Sequence, residues 1–133
     1  MSYKKYLILF FLIALLGVSF GWYFLNKREI PVLGYHEINN KEHSPLALST
    51  TEFEAQMKYL HAAGYTPITP DDLLQFLKNG GELPYKSVLI TFDDGYEDNY
   101  TEAYPILQKY GIKATIFLIS NDIGLPGYLN WQE

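Results

Sequence analysis

The chain has 133 residues, ten basic and fifteen acidic side chains for a net charge of −5, and no cysteine. That length leaves room for one modest domain, the cysteine count excludes a disulfide framework and attachment through a lipidated cysteine, and the acidic balance argues against nucleic acid as a partner. The charge is unevenly placed. Lys4, Lys5, Lys27 and Arg28 precede Glu29, and every acidic residue lies at or after it. The remainder therefore carries six basic against fifteen acidic side chains, a net of −9. A neutral or partly cationic ligand suits such a surface better than a polyanion, and the acidity is equally accounted for by solubility alone.

Tyr6 through Leu25 is an uncharged, strongly apolar run flanked by those basic pairs. At about 1.5 Å per residue, its twenty residues as a helix span a bilayer core. A secretory leader has a shorter apolar region and a small-residue cleavage site. The only candidate for one is Ser19-Phe20-Gly21, followed at once by the interface-type cluster Trp22-Tyr23-Phe24. The expectation is an uncleaved signal-anchor over residues 1–28, with a transmembrane helix at about 6–25. The basic residues favour a cytoplasmic amino terminus and put residues 29–133 on the extracellular side of the cell membrane.

After the anchor the periodicity changes. Pro31–His36 reads as a strand, and Asn39 to Ser44 as a polar loop containing His43. Ser49 with Glu52 and Thr51 with Glu54 are overlapping capping-box spacings that open a helix to about Ala63, closed by Gly64. Phe53, Met57 and Leu60 recur at helical spacing and are expected in the core, while His61 falls on the helix flank. Tyr65–Ile68 is a short strand or extended link. Thr69 caps a further helix, with Pro70 in its first turn and an end at Asn79-Gly80-Gly81. The Asp71-Asp72 pair sits in that helix's first turn, where the helix dipole accounts for it.

The chemistry concentrates in Val88-Leu89-Ile90-Thr91-Phe92-Asp93-Asp94-Gly95-Tyr96. A continuous apolar or β-branched run reads as a strand buried on both faces, and in parallel α/β folds the working groups stand at the carboxyl ends of such strands. Asp-Asp-Gly is also an ordinary turn sequence. The helix pattern over 99–111 and the strand Lys113–Ile119 favour a βαβ unit instead. Two carboxylates at a strand end can divide two tasks, one holding a cation and the other accepting a proton from water. Gly95 lets the chain turn where a side chain would crowd the site.

The blocks Thr91-Phe92-Asp93-Asp94-Gly95-Tyr96, Tyr104-Pro105-Ile106-Leu107 and Gly111-Ile112-Lys113-Ala114-Thr115-Ile116-Phe117-Leu118 resemble the polysaccharide deacetylase family, the NodB-homology domain of carbohydrate esterase family four. Ile30–Ile38 is similar to the first strand of its poly-N-acetylglucosamine deacetylase branch. The resemblance implies an α/β fold in which residues 29–133 form the amino-terminal part of a distorted (β/α) barrel, truncated on its C-terminal side.

It also implies metal-dependent removal of N-acetyl groups from an N-acetylglucosamine-containing polysaccharide of the cell surface or wall. Asp93 would be the catalytic base and Asp94 a metal ligand, with His36 and Tyr96 lining the site. The implied cofactor is a divalent metal, zinc first, with cobalt, nickel or iron as alternatives. The family's two metal-binding histidines follow a helix start resembling Leu129-Asn130-Trp131, and the chain holds no His-x-x-x-His, so its metal site is expected to be incomplete. Two other readings stand beside this one. One is an inactive membrane-anchored stub or glycan-binding module. The other is a metal-dependent phosphohydrolase using both aspartates on Mg²⁺, although no glycine-rich phosphate loop is present.

Overall fold

The computed structural model describes residues 3–25, 29–41 and 44–133. Lys27, Arg28 and His43 lie outside the described residues. Helix α1 (Tyr3–Leu25) is apolar along its length, long enough to cross a membrane, and not buried against the rest of the protein.

The remainder is built around one strand. β5 (Ser87–Asp94) pairs in parallel with β1 (Val32–Tyr35) on one side. On the other side β4 (Thr66–Ile68) pairs with its first half and β6 (Thr115–Leu118) with its second. The register shows this: Leu89 stands between Val32 and Ile68, and Thr91 between Gly34 and Thr115. Parallel strands need crossovers, and helices α2 (Thr50–Ala62), α3 (Pro70–Asn79) and α4 (Tyr104–Tyr110) lie between them in the chain.

Alternation along the strands explains the core. Tyr35, Val88, Ile90 and Phe92 join Phe53, Met57 and Leu60 of α2 and Leu107 of α4 in one buried cluster. The rings of Tyr35, Phe53 and Phe92 close its centre, with centroids 5.1 to 5.8 Å apart. The residues expected to form the core from helical spacing are thus its middle. Glu54 of α2 accepts hydrogen bonds from Lys109 (2.5 Å) and Tyr110 (3.1 Å) and ties α2 to the end of α4.

The helix boundaries follow from their caps. Ser49 Oγ accepts from the Glu52 amide at 3.2 Å, and Thr69 and Asp72 form a reciprocal capping box. The second capping spacing, Thr51 with Glu54, does not form: the helix starts at Thr50 with Ser49 as its cap, so Thr51 is already inside it, and Glu54 is engaged by α4. Asp72 accepts from the Thr69 amide and hydroxyl, which hold its carboxyl below the usual carboxylate range and give Asp72 a capping role.

Two segments depart from the sequence reading. The loop expected at 39–44 is flanked by a small parallel pair, β2 (Glu37–Ile38) with β3 (Ala47–Leu48), too short to announce itself by alternation. The helix expected over 99–111 begins as a π-helical turn, Asn99–Ala103, before α4.

Candidate active site

β5 is buried from Ser87 through Phe92, and burial is relieved only at Asp93 and Asp94. The two carboxylates therefore stand where the strand leaves the core. Asp93 pairs across the sheet with Phe117 and Asp94 with Leu118. Asp94 has φ +71°, a left-handed conformation uncommon for a residue with a side chain, and Gly95 follows at φ +78°. Two such residues in succession turn the backbone sharply. Strain of this kind is retained where the surrounding structure over-determines it, which is a recurrent property of functional sites.

The turn is held from several directions. The Leu129 amide donates to Gly95 O and the Glu97 amide to Gly127 O, each at 2.9 Å. Tyr96 forms an isolated antiparallel bridge with Tyr128, and their rings stack with centroids 5.2 Å apart. Asn99 Nδ2 donates to His36 O at 2.7 Å and to Asp98 Oδ1 at 3.1 Å, and Asn39 Nδ2 donates to Asp98 Oδ2 at 2.8 Å. Residues 96–99 are thereby fixed to the chain that leaves β1.

The sequence-derived candidates gather at this end of the sheet. His36 directly follows Tyr35, whose register partner is Phe92, so His36 and Asp93 leave adjacent strands at the same level. Tyr96 lines a cavity of about 480 Å³ together with Glu37, Asn39, Asp98, Glu102 and Tyr128. The Tyr96 hydroxyl is pushed above its ordinary pKa by burial, and further by Tyr128, Asp94 and Glu37. Of the sequence-derived candidates only Tyr96 lines this cavity; His36, Asp93 and Asp94 are not among its lining residues. His61 is exposed and away from it, its Nδ1 3.1 Å from Tyr110 O.

Sequence reasoning passed over two residues of this cavity and one that braces the turn beside it. Glu37 adjoins His36 and has Oε2 buried without a hydrogen-bond partner. Tyr128 sits in a segment with no periodic signal. Asn99 reads as a helix-entry residue, but it is 3% exposed and clamps the site.

Among the described residues no three His, Cys, Asp or Glu side chains converge as a metal-holding group. A transition-metal site ordinarily takes about three or four protein ligands. The donors here do not by themselves fit the divalent cation that the family resemblance implies.

The family profile described as polysaccharide deacetylase matches residues 80–128. The Bacillus subtilis protein YxkH, named for the same family, is 46% identical over 105 residues, covering 79% of this chain and 37% of that protein. The Staphylococcus aureus poly-beta-1,6-N-acetyl-D-glucosamine N-deacetylase is 38% identical over 96 residues, 72% of this chain and 33% of that one. Among solved structures, the Streptococcus pyogenes deacetylase PplD in complex with acetate superposes with a TM-score of 0.73 at 31% identity, over 79% of this chain and 50% of PplD.

Fold and matches together define the class, an α/β deacetylase domain. The chain belongs to the polysaccharide deacetylase family. It spans about a third of the curated relatives it matches, as an amino-terminal portion of such a domain would.

Proposed function

We propose that residues 29–133 contribute the carboxylate half of a hydrolase site that removes N-acetyl groups from an N-acetylglucosamine-containing surface polysaccharide. The observation that carries this is the Asp93-Asp94 pair at the half-buried end of an otherwise buried parallel strand, with Asp94 held in a left-handed turn. Asp93 accepts the proton of the water that attacks the acetamide carbonyl, a role that requires an ionised carboxylate at the mouth of the sheet. Asp94 is the ligand assigned toward a divalent cation such as zinc, and among the described residues no group of three suitable side chains completes the site. His36 and Tyr96 border the substrate side of the mouth. In the complete enzyme the sheet continues as a distorted (β/α) barrel. α1 is a single-pass anchor with its amino terminus in the cytoplasm, so the domain faces the polysaccharide outside.

The relatives' names support the substrate class, and the net acidity of residues 29–133 agrees with a glycan that gains amines as it is deacetylated. A second reading has a specific observation in its favour. The stacked Tyr96–Tyr128 pair and the incomplete donor set suit a glycan-binding module without turnover.

One experiment separates them. Residues 29–133 replace the part of PplD on which they superpose, and acetate release from N-acetylglucosamine oligomers is measured. The hydrolase reading expects turnover that Asp93→Asn lowers by about 10²–10⁴ while the circular dichroism spectrum is kept. A folded chimera that binds the oligomer without releasing acetate would establish the binding module. Turnover unaffected by Asp93→Asn would remove Asp93 from the base role.

A further inference from the structure

The two ends of the sheet differ in charge and in what reaches them. At the carboxyl end of β5 stand Asp93 and Asp94, and the cavity at Tyr96 is lined by Glu37, Glu97, Asp98 and Glu102 against Lys41 alone. The amino-terminal end lies about 23 Å away, at roughly 3.3 Å per residue along β5. There Val32 pairs with Leu89 and Thr66 with Ser87. A cavity of about 300 Å³ at that end is lined by Ile30, Pro31, Tyr65, Phe76, Tyr85 and Lys86.

This end is amphipathic. Tyr85 is 76% exposed, and Leu77, on the last turn of α3 beside Phe76, is 69% exposed. Tyr59 is 65% exposed, its ring centroid 6.5 Å from that of Tyr65. The charges among them are balanced, Lys78 and Lys86 against Glu29 and Glu82. Lys86 Nζ donates to Ala63 O at 2.7 Å and lies 5.7 Å from the Tyr65 ring centroid. Tyrosines, lysines and an exposed leucine make up a surface suited to lipid head-group depth. There a ring or an alkyl stem enters apolar surroundings while its polar tip stays wet.

The tether decides the occupant. α1 ends at Leu25, and Glu29 already lines the cavity at this end. Four peptide steps join them, at most about 15 Å of extended chain. An α1 that crosses the bilayer therefore delivers this end of the sheet, and not the other, to the lipid surface. Electrostatics selects the same orientation. An anionic leaflet attracts lysines that come within a Debye length and repels the acidic end.

We propose that the amino-terminal end of the sheet rests on the bilayer that α1 enters, with Tyr85 and Leu77 seated among the lipid head groups, so that the Asp93-Asp94 end faces away from the membrane. The proposal rests on α1 as an anchor and not on the hydrolase reading.

The chain has no native cysteine, so Glu82→Cys at this end, or Thr101→Cys in the π-helical turn at the opposite end, carries a fluorescent label uniquely. Both positions are exposed. The full chain is reconstituted in phosphatidylcholine vesicles containing phosphatidylglycerol, with and without a lipid bearing a head-group nitroxide. Quenching at position 82 should be at least about twofold that at position 101, because contact brings the first label within about 5–10 Å of the head groups. Leu77→Glu with Tyr85→Glu should bring the two positions to equal quenching, while α1 keeps the chain in carbonate-washed vesicles. Both replaced side chains are more than two-thirds exposed, so the double variant should fold, and circular dichroism checks this. Equal quenching at the two positions in the parent would overturn the proposal. Excess quenching at position 82 that survives the double variant would also overturn it, since the tether alone would then explain the proximity. In either case retention through the carbonate wash leaves the anchor standing. Release by carbonate would overturn the anchor and the proposal together.

Discussion

A Cβ placed on Gly95 would overlap Cδ2 of Leu118, so the turn after the aspartate pair and the end of β6 are fitted to each other with no space for a methyl group. Gly95 also has φ +78°. Gly95→Ala therefore meets about 1–2 kcal/mol for the left-handed backbone and, beyond it, the cost of shifting the end of the 41%-exposed Leu118 side chain, up to about 1 kcal/mol. Gly111 separates them. Its φ is +64°, but no atom lies within 4 Å of its hypothetical Cβ. Gly111→Ala should lose only the backbone part. Denaturant titration should place Gly95→Ala below Gly111→Ala by up to about 1 kcal/mol. Equal losses would show that Leu118 moves aside freely.

Alkaline stability should report on Tyr35. Burial in the core pushes its hydroxyl up to about 12 from an ordinary 10.0, while the hydroxyl donates to Gln56 Oε1 at 2.5 Å. The folded state favours the protonated phenol. Its contribution is complete below pH 10, falls as the unfolded chain ionises, and is gone once pH passes about 12. The span corresponds to at most about 2–3 kcal/mol. Tyr35→Phe should cost about 1 kcal/mol at neutral pH through the lost hydrogen bond and should flatten the decline above pH 10. Unfolding midpoints from pH 8 to pH 12 check this. A variant that declines as steeply as the parent would assign the effect to other tyrosines, Tyr96 first among them.

The parts of this fold that were legible in the sequence are those fixed by local rules. The run Val88–Phe92 marks β5 because a continuous apolar or β-branched stretch ending in two charges reads as a buried strand, and Ser87 through Phe92 are indeed buried. Ser49 and Thr69 gave the helix starts because a side-chain oxygen must satisfy a free amide there. What was not legible depends on distant partners. Glu37–Ile38 becomes a strand only because Ala47–Leu48 lies beside it. Glu54 pairs with Lys109 and Tyr110, over fifty residues away. Asn99 clamps His36 O across 63 positions, a relation that no spacing rule encodes. The site divides in the same way. Asp93 and Asp94 follow from their strand, whereas Glu37 and Tyr128 belong to the cavity at Tyr96 through tertiary contacts.

The chain alone should bind divalent metal weakly. Asp94 offers one carboxylate, and no group of three suitable side chains converges among the described residues. One ligand falls short of the three or four that hold zinc in proteins. Calorimetric titration of the full chain with Zn²⁺ should therefore give no submicromolar site, and acetate release should be absent. Submicromolar one-to-one binding with turnover would show that the chain completes its site by other means. Loss of that binding on dilution below a dimer's dissociation constant would identify a second copy as the source.

The amino-terminal helix should stay attached and embedded. α1 has 23 residues, which at about 1.5 Å each exceeds the roughly 30 Å hydrocarbon thickness of a bilayer. Its large side chains, Phe10, Phe11, Leu15 and Leu16 among them, are more than half exposed, and the domain offers them no cover. The cleavage alternative requires Ser19-Phe20-Gly21 to be presented as extended chain. Instead the helix continues through these residues, and Ser19 Oγ donates to Leu15 O at 2.8 Å within it. Membrane fractions washed with alkaline carbonate should retain the protein, and mass spectrometry should give the intact 15.3 kDa chain. A soluble product beginning at Trp22 would establish cleavage after Gly21 and replace the anchor with a leader. Removal by carbonate at full mass would mean that α1 lies on the membrane surface without crossing it.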